Sequence, residues 1–254
     1  MNPAKEKGYS VCGKCPGTTC FPRIAADEPL PPVAEAPTFC PMRRFPETIQ
    51  KVQETYNQPD IREFARLASI QEAECYEATE DGMRTKFPRI EEIIQFSQKC
   101  NYTRIGVAFC LGLKEEMRMV SDILESKGLD VITVNCKVGG VPKESIGLAG
   151  KEKILGPDMM ETMCNPIAQA AVLDAEGVDL AIMMGLCVGH DTLFLKTIQA
   201  PTTVLAVKDR VFGHNPLAAC YLSKSPYYGR LRKKTERKGE GEKVTIPEKI
   251  IISA

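Results

Sequence analysis

From Tyr102 to about residue 228 the chain alternates short apolar runs with amphipathic stretches. Residues 104–110 (RIGVAFC), 130–136 (DVITVNC), 178–184 (VDLAIMM) and 203–207 (TVLAV) read as strands. They are short, and largely apolar without strict alternation, as expected of strands covered on both faces. Residues 115–127, 165–176, 192–198 and 216–222 read as helices that follow them. Asn165-Pro166 and Asn215-Pro216 each offer an N-cap followed by a proline at the first helical position, and Asp191 is placed to cap the helix from Thr192. Repeated strand–helix units of this length imply right-handed crossovers and a parallel sheet. The expected fold class is α/β, a three-layer Rossmann-like domain over residues 102–228.

Upstream the period changes. Over residues 46–101 the pattern is helical: Pro46 can open a helix, Ile49, Val52 and Tyr56 follow at helical spacing, and Phe64, Ala68, Gln71 and Cys75 share a stripe. A further helix is expected over 89–98. Cys75 on that apolar face reads as a small buried hydrophobe. Residues 1–45 are rich in proline with little apolar period, so this segment cannot bury a core of its own. Residues 229–254, rich in Lys, Arg and Glu, read as a solvated extension, with nucleic-acid contact only a minor possibility.

Charge and composition narrow the chemistry. Thirty-three basic residues balance thirty-three acidic ones, which gives no reason to expect nucleic acid or an anionic membrane as the main partner. No apolar run reaches the roughly 18 residues of a spanning helix, and the first ten residues lack the apolar core of a signal peptide, so a soluble cytoplasmic protein is expected. The anomaly is eleven cysteines beside only two histidines. In a reducing compartment an odd, large cysteine count points to metal ligation before disulfides, and so few imidazoles make any metal chemistry mainly thiolate chemistry.

Two sets of cysteines stand out. Cys12, Cys15, Cys20 and Cys40 form C-x2-C-x4-C with a fourth thiol further on, enough to hold zinc or a [4Fe-4S] cluster and to fold a small N-terminal four-cysteine module. Cys15 and Cys40 are each followed by proline, as cluster cysteines in ferredoxins often are, which favours iron-sulfur. In the α/β part, Cys110, Cys136 and Cys187 each stand at or just past a strand end, and parallel strands bring such positions to one edge of the sheet. Cys164, just before the Asn165-Pro166 helix start, is expected at the same edge, where helix N-termini stabilise thiolates. His190 and His214 occur in matched settings, Gly189-His190-Asp191 and Gly213-His214-Asn215. Each reads equally as a ligand, a proton donor or a loop cap. Residues 137–163 read as a lid or binding loop over the cysteines.

Phe109-Cys-Leu-Gly-Leu113, Cys136-Lys-Val-Gly-Gly140, Cys164-Asn-Pro166, Gly185-Leu-Cys-Val-Gly-His-Asp191 and Asp209-Arg-Val-Phe-Gly-His-Asn-Pro216, preceded by the four N-terminal cysteines, resemble a family of uncharacterised prokaryotic metal-binding proteins grouped as a domain of unknown function. The resemblance covers about residues 10–228. It implies a cysteine-rich metal-binding protein of anaerobic bacteria and archaea, and brings no established reaction.

Together these features lead to an expected iron-sulfur protein with two centres, the inner one held by Cys110, Cys136 and Cys187 with Cys164 as fourth or neighbouring thiol. With three thiolates an open iron could act on a small-molecule substrate by dehydration or sulfur removal, with His190 or His214 moving protons and Asp191 or Asp209 orienting them. With four, electron transfer to a partner is the better use. The alternatives are zinc at both sites in a metal-carrier or ligand-binding protein without catalysis, and reactive thiols without metal. No P-loop or dinucleotide signature suggests a nucleotide.

Overall fold

The computed structural model describes residues 8–17 and 19–233, in two compact units that divide between Glu74 and Cys75. The first seven residues of the expected N-terminal module, and the part of the 229–254 extension beyond Lys233, lie outside the described residues.

Among the described residues the first unit contains the α-helices α1 (Pro41–Arg44), α2 (Pro46–Gln53) and α3 (Pro59–Glu74). Each opens on a proline, whose missing N–H costs nothing where no intrahelical acceptor exists. Upstream, the described residues carry two single 3-10 turns, at Cys12–Lys14 and Val33–Glu35. It is tied to α1 by guanidinium bonds, Arg43 to the Ala36 carbonyl at 2.8 Å and Arg44 to that of Gly8 at 2.6 Å. The stripe read through Cys75 ends one residue short of it, because α3 stops at Glu74.

In the second unit Cys75 is buried, as its reading required, and an antiparallel hairpin follows, β1 (Tyr76–Thr79) and β2 (Gly82–Thr85). The hairpin was not anticipated within the helical stretch. Its strands are four residues long and almost wholly exposed, so they carry no alternating apolar signal. Next comes α4 (Arg89–Lys99), then the α/β part: β3 (Arg104–Phe109), α5 (Lys114–Glu125), β4 (Asp130–Asn135), α6 (Pro166–Ala175), β5 (Leu180–Met184), α7 (His190–Thr197), β6 (Thr202–Ala206) and α8 (Leu217–Tyr221).

The four long strands form one parallel sheet in the order β4-β3-β5-β6. The alternation of its side chains separates two cores. Ile105, Val107, Phe109, Ile182 and Met184 face α4 and α5, meeting Ile93, Ile94, Leu113, Met117, Val120 and Leu124. Ala108, Val134, Ala181 and Met183 face α6 and α7, meeting Ala170, Leu173 and Phe194. This is the expected three-layer, Rossmann-like arrangement. Gly106 lets α6 come close, since a β-carbon there would lie 2.9 Å from both Leu173 and Val178 side chains. The order also fixes the crevice. After β3 the chain moves outward to β4, then crosses back over β3 to β5, so the direction reverses between β3 and β5, and the strand ends on either side of that reversal border a natural ligand cleft.

Two helix starts differ from expectation. The helix at Thr192 begins two residues earlier, with Gly189 as N-cap and His190 as its first residue. Asp191 still serves the turn, its Oδ1 accepting from the Gly189 and Thr192 N–H groups at 2.9 and 2.7 Å. Asn165 caps α6 as read, accepting from Ala168 N–H at 3.1 Å, but at the second Asn-Pro pair Pro216 itself is the N-cap and α8 lasts only five residues. No described helix is long and apolar enough to cross a membrane.

Leu173 is fully buried between α6 and the sheet. Leu173→Ala is expected to lower unfolding stability by about 2–4 kcal/mol, the cost of the lost methylenes plus a cavity, as read in a denaturant titration.

Candidate thiolate centre

The ladder sets the position of the cysteines. In the parallel register Phe109 stands opposite Asn135 on one side and Met184 on the other, so the chain leaves β3, β4 and β5 at the same level. Cys110 and Cys136 are the first residues out. The Cys110 N–H donates to the Met184 carbonyl at 3.2 Å and the Cys136 N–H to that of Phe109 at 2.9 Å, extending the ladder to the cysteines themselves. Cys164 arrives from the far side of the long connection, where the N–H of Asn165 donates to the Cys136 carbonyl at 2.8 Å.

Three thiols are therefore brought to one edge. Buried Cys136 has half-buried Cys164 beside it, with 3.8 Å between the two sulfurs, and half-buried Cys110 near enough to perturb its ionisation. The Leu111 N–H also points at the Cys136 sulfur, at 3.4 Å. Cys164, expected only as fourth or neighbouring thiol, is thus in the set. Cys187 takes a partner of its own, accepting from the Arg210 guanidinium at 3.0 Å.

The thiols of the set perturb one another. Hydrogen bonding with Cys136 favours the thiolate forms of its neighbours, and the Gly112 backbone and the Lys208 ammonium add to this at Cys110, which is lowered to about 5. At Cys164 the charges of Lys137 and His190 add to the bond from Cys136, and it too is lowered to about 5. Cys136 is pushed strongly upward by the two thiolates beside it and by burial. Burial and the neighbouring sulfurs thus disfavour ionisation of Cys136, while Cys110 and Cys164 are favoured as thiolates.

The set is held from beneath by a residue that sequence reasoning passed over. Gln169 on α6 is fully buried, and its Nε2 donates to the Phe109 carbonyl at 3.1 Å and the Val134 carbonyl at 2.7 Å, locking the ends of β3 and β4 next to their cysteines. Helix α6 thus joins all three sulfurs, through Cys164 before its cap, Asn165 at the cap and Gln169 in its second turn. A glutamine on a buried helical face was the available signal. Lys208, Lys137 and Arg210 were also missed, since isolated surface-type charges give no pattern. Gly185, with φ +65°, closes the β5 end, where a β-carbon would collide with the Leu113 side chain at 2.2 Å.

The other expected residues divide. His190 stands at the start of α7, its charge felt at Cys164 and its Nδ1 buried without a hydrogen-bond partner. His214, at φ +68°, is bound into its own loop: its Nδ1 accepts from the Asp209 N–H and lies equally near the Val207 carbonyl, both at 3.2 Å. Asp209 Oδ1 accepts from Val211 and Phe212 N–H at 2.9 and 2.8 Å. These two shape a turn. Among the N-terminal cysteines Cys12 and Cys20 are exposed, Cys15 half-buried and Cys40 buried. Among the described residues no three or more Cys, His, Asp or Glu side chains stand in metal-holding geometry, either there or at the sheet edge.

The loop between Cys136 and Cys164 has structure of its own. Its neck is closed by the bridge Pro142↔Thr162 and by Lys137 Nζ donating to the Thr162 carbonyl at 2.6 Å. Inside it, Glu161 pairs with Lys143 and accepts from the Ile154 and Leu155 N–H groups at 2.8 and 3.2 Å.

Comparison with known proteins gives the family. A family model described as "Protein of unknown function (DUF1847)" matches residues 40–205, more than half of the chain. The chain belongs to the DUF1847 family. A relative, the uncharacterized protein MJ0455 of Methanocaldococcus jannaschii, is 42% identical over 172 residues, covering 68% of this chain and 82% of the relative. No solved structure matches the chain. The DUF1847 match takes in Cys110, Cys136, Cys164, Gln169, Cys187 and His190, and it leaves out Cys12, Cys15, Cys20, Asp209 and His214.

Two outcomes are expected. Values held below the ordinary thiol mean that Cys110 and Cys164 keep their thiolates as pH falls, contributing stability at high pH that is lost through about 5; for Cys136 the sign is reversed. Alkylation of Cys164 in the metal-free chain, followed by peptide mass spectrometry, should accordingly hold a plateau from about pH 8 to about pH 6 and fall through about 5, with Cys136 inert. Gln169→Leu should cost about 1–3 kcal/mol in a denaturant melt, by removing the buried amide that bonds both strand-end carbonyls.

Proposed function

We propose that the protein binds a metal through Cys110, Cys136 and Cys164 at the carboxyl edge of its sheet, with His190 beside them. The observation that carries this is the 3.8 Å between the Cys136 and Cys164 sulfurs. A metal–sulfur bond of about 2.3 Å in a tetrahedral site places its sulfurs about 3.8 Å apart, so this pair already has the spacing of two ligands on one ion. The donor set fits: three soft sulfurs, two of them favoured as thiolates, and a histidine whose buried Nδ1 has no other partner. Such a metal would supply Lewis acidity or electron storage, and in iron-sulfur form the redox or cluster-dependent small-molecule chemistry expected from the sequence.

The protein's own part is separable. Gln169 and the ladder fix the sulfurs, Lys208 and Lys137 offset their negative charge, and His190 can hold a proton next to Cys164. Asp191 supports the turn that carries His190. Cys187, paired with Arg210, serves as a thiol on the crevice side of β5.

The spacing favours a single ion, zinc or iron, over a cluster, in which each cysteine takes an iron of its own and the sulfurs stand further apart. A [4Fe-4S] cluster is the second reading, supported by the number of thiols at the edge and the cations around them. For Cys12, Cys15, Cys20 and Cys40 a second centre is proposed on the donor set alone, zinc or iron-sulfur. A partner for electron transfer and a small-molecule substrate both remain part of the proposal.

Metal, iron and acid-labile sulfide per chain, measured on protein purified without oxygen, test this. A Cys110/Cys136/Cys164→Ser variant is expected to lose the metal of the inner centre and keep any bound by the N-terminal cysteines. Sulfide lost together with iron would select the cluster, and metal lost without sulfide the single ion. Metal content unchanged in the variant would refute the site.

A further inference from the structure

The three sulfurs differ in access, and that difference has chemistry of its own. Cys164 is half-buried at the mouth of the loop, whereas Cys136 is 3% exposed and lies behind it at 3.8 Å. An accessible sulfur backed by a buried one within reach is the arrangement that thiol–disulfide exchange needs, since the outer thiol meets the reagent and the inner one resolves the product. The backbones are already close, because the Asn165 N–H bonds the Cys136 carbonyl at 2.8 Å, and the neck bridge Pro142↔Thr162 keeps both chain segments together. Closing the pair asks only for a short approach of two side chains.

We propose that in the metal-free protein Cys164 and Cys136 form a thiol–disulfide exchange pair that reduces low-molecular-weight disulfides. The Cys164 thiolate attacks one sulfur of the disulfide RSSR. The S–S bond breaks, its electron pair leaves with RS⁻, which takes a proton from water, and a Cys164–S–S–R mixed disulfide remains. Cys136 then gives up its proton and attacks the Cys164 sulfur, expelling the second RS⁻, which is protonated in turn. The two protein thiols together lose two electrons, which reduce RSSR to two RSH, and the Cys136–Cys164 disulfide remains. The same two sulfurs are ligands in the centre proposed above, so, resting on that reading, metal binding and oxidation exclude each other.

The test uses the full chain, metal content measured first, with bis(2-hydroxyethyl) disulfide as the neutral probe, before and after chelation. The expected product from the metal-free chain is lighter by two hydrogen atoms, with Cys136 and Cys164 joined in one cross-linked peptide. Cys136→Ser should instead stop at a stable hydroxyethylthio adduct on Cys164, a result that a distorted fold would not produce selectively. Bound metal should slow the reaction by about tenfold or more. Both cysteines recovered as thiols after treatment of the metal-free chain, or a cross-link that maps elsewhere, would overturn the exchange pair while leaving the metal centre intact. Protein found to hold no metal, yet forming the Cys136–Cys164 disulfide, would refute the centre and support the pair. Equal rates with and without bound metal would overturn the exclusion.

Discussion

In a parallel sheet every strand leaves on the same side, and the register of β3 against β4 and β5 makes that exit level for three consecutive strands. The sulfur site depends on this constraint more than on any one contact. Cys110 and Cys136 are hydrogen-bonded extensions of the ladder, so their backbone positions are as rigid as the core beneath them. Rigidity matters because neighbouring sulfurs are electrostatically costly once two are charged, and a loose loop would let them separate. Here the ladder, the Gln169 amide and the cap of α6 act on the same few residues. The cations Lys137 and Lys208 then lower the cost of keeping negative charge there.

The same arrangement explains why the protein can hold both a metal reading and a thiol reading without contradiction. Metal ligation and nucleophilic attack both call for thiolates, and both are helped by a sulfur neighbour within about 4 Å. What distinguishes them is occupancy. The central thiol resists deprotonation in the metal-free state, and a divalent ion bound there would displace its proton.

Much of this was legible in the sequence, and the parts that were not have physical reasons. The four strands of the sheet and the helices between them were readable within a residue or two because apolar period and Asn-Pro cap chemistry agree locally. Cys110 and Cys136 could be placed because they end apolar runs. The β1–β2 hairpin was missed, since four-residue exposed strands have no face to bury. The assembly of Cys110, Cys136 and Cys164, with Cys187 turned to Arg210, depends on where a connection of some thirty residues returns, and no local pattern encodes that. Asp209 and His214 resembled catalytic groups by type and setting, but the hydrogen bonds they make belong to their own turn.

The closed neck of the 137–163 loop also separates two kinds of tolerance to change. At the neck, Lys137, Thr162 and the flanking cysteines are bound to one another, and a single inserted residue would break their pairing. Beyond it, the cost of closing the loop grows only slowly with its length. Ile154 and Met160 are already exposed there. Positions of the loop outside the contacts of Glu161 with Lys143, Ile154 and Leu155 are therefore where an insertion carries the smaller penalty.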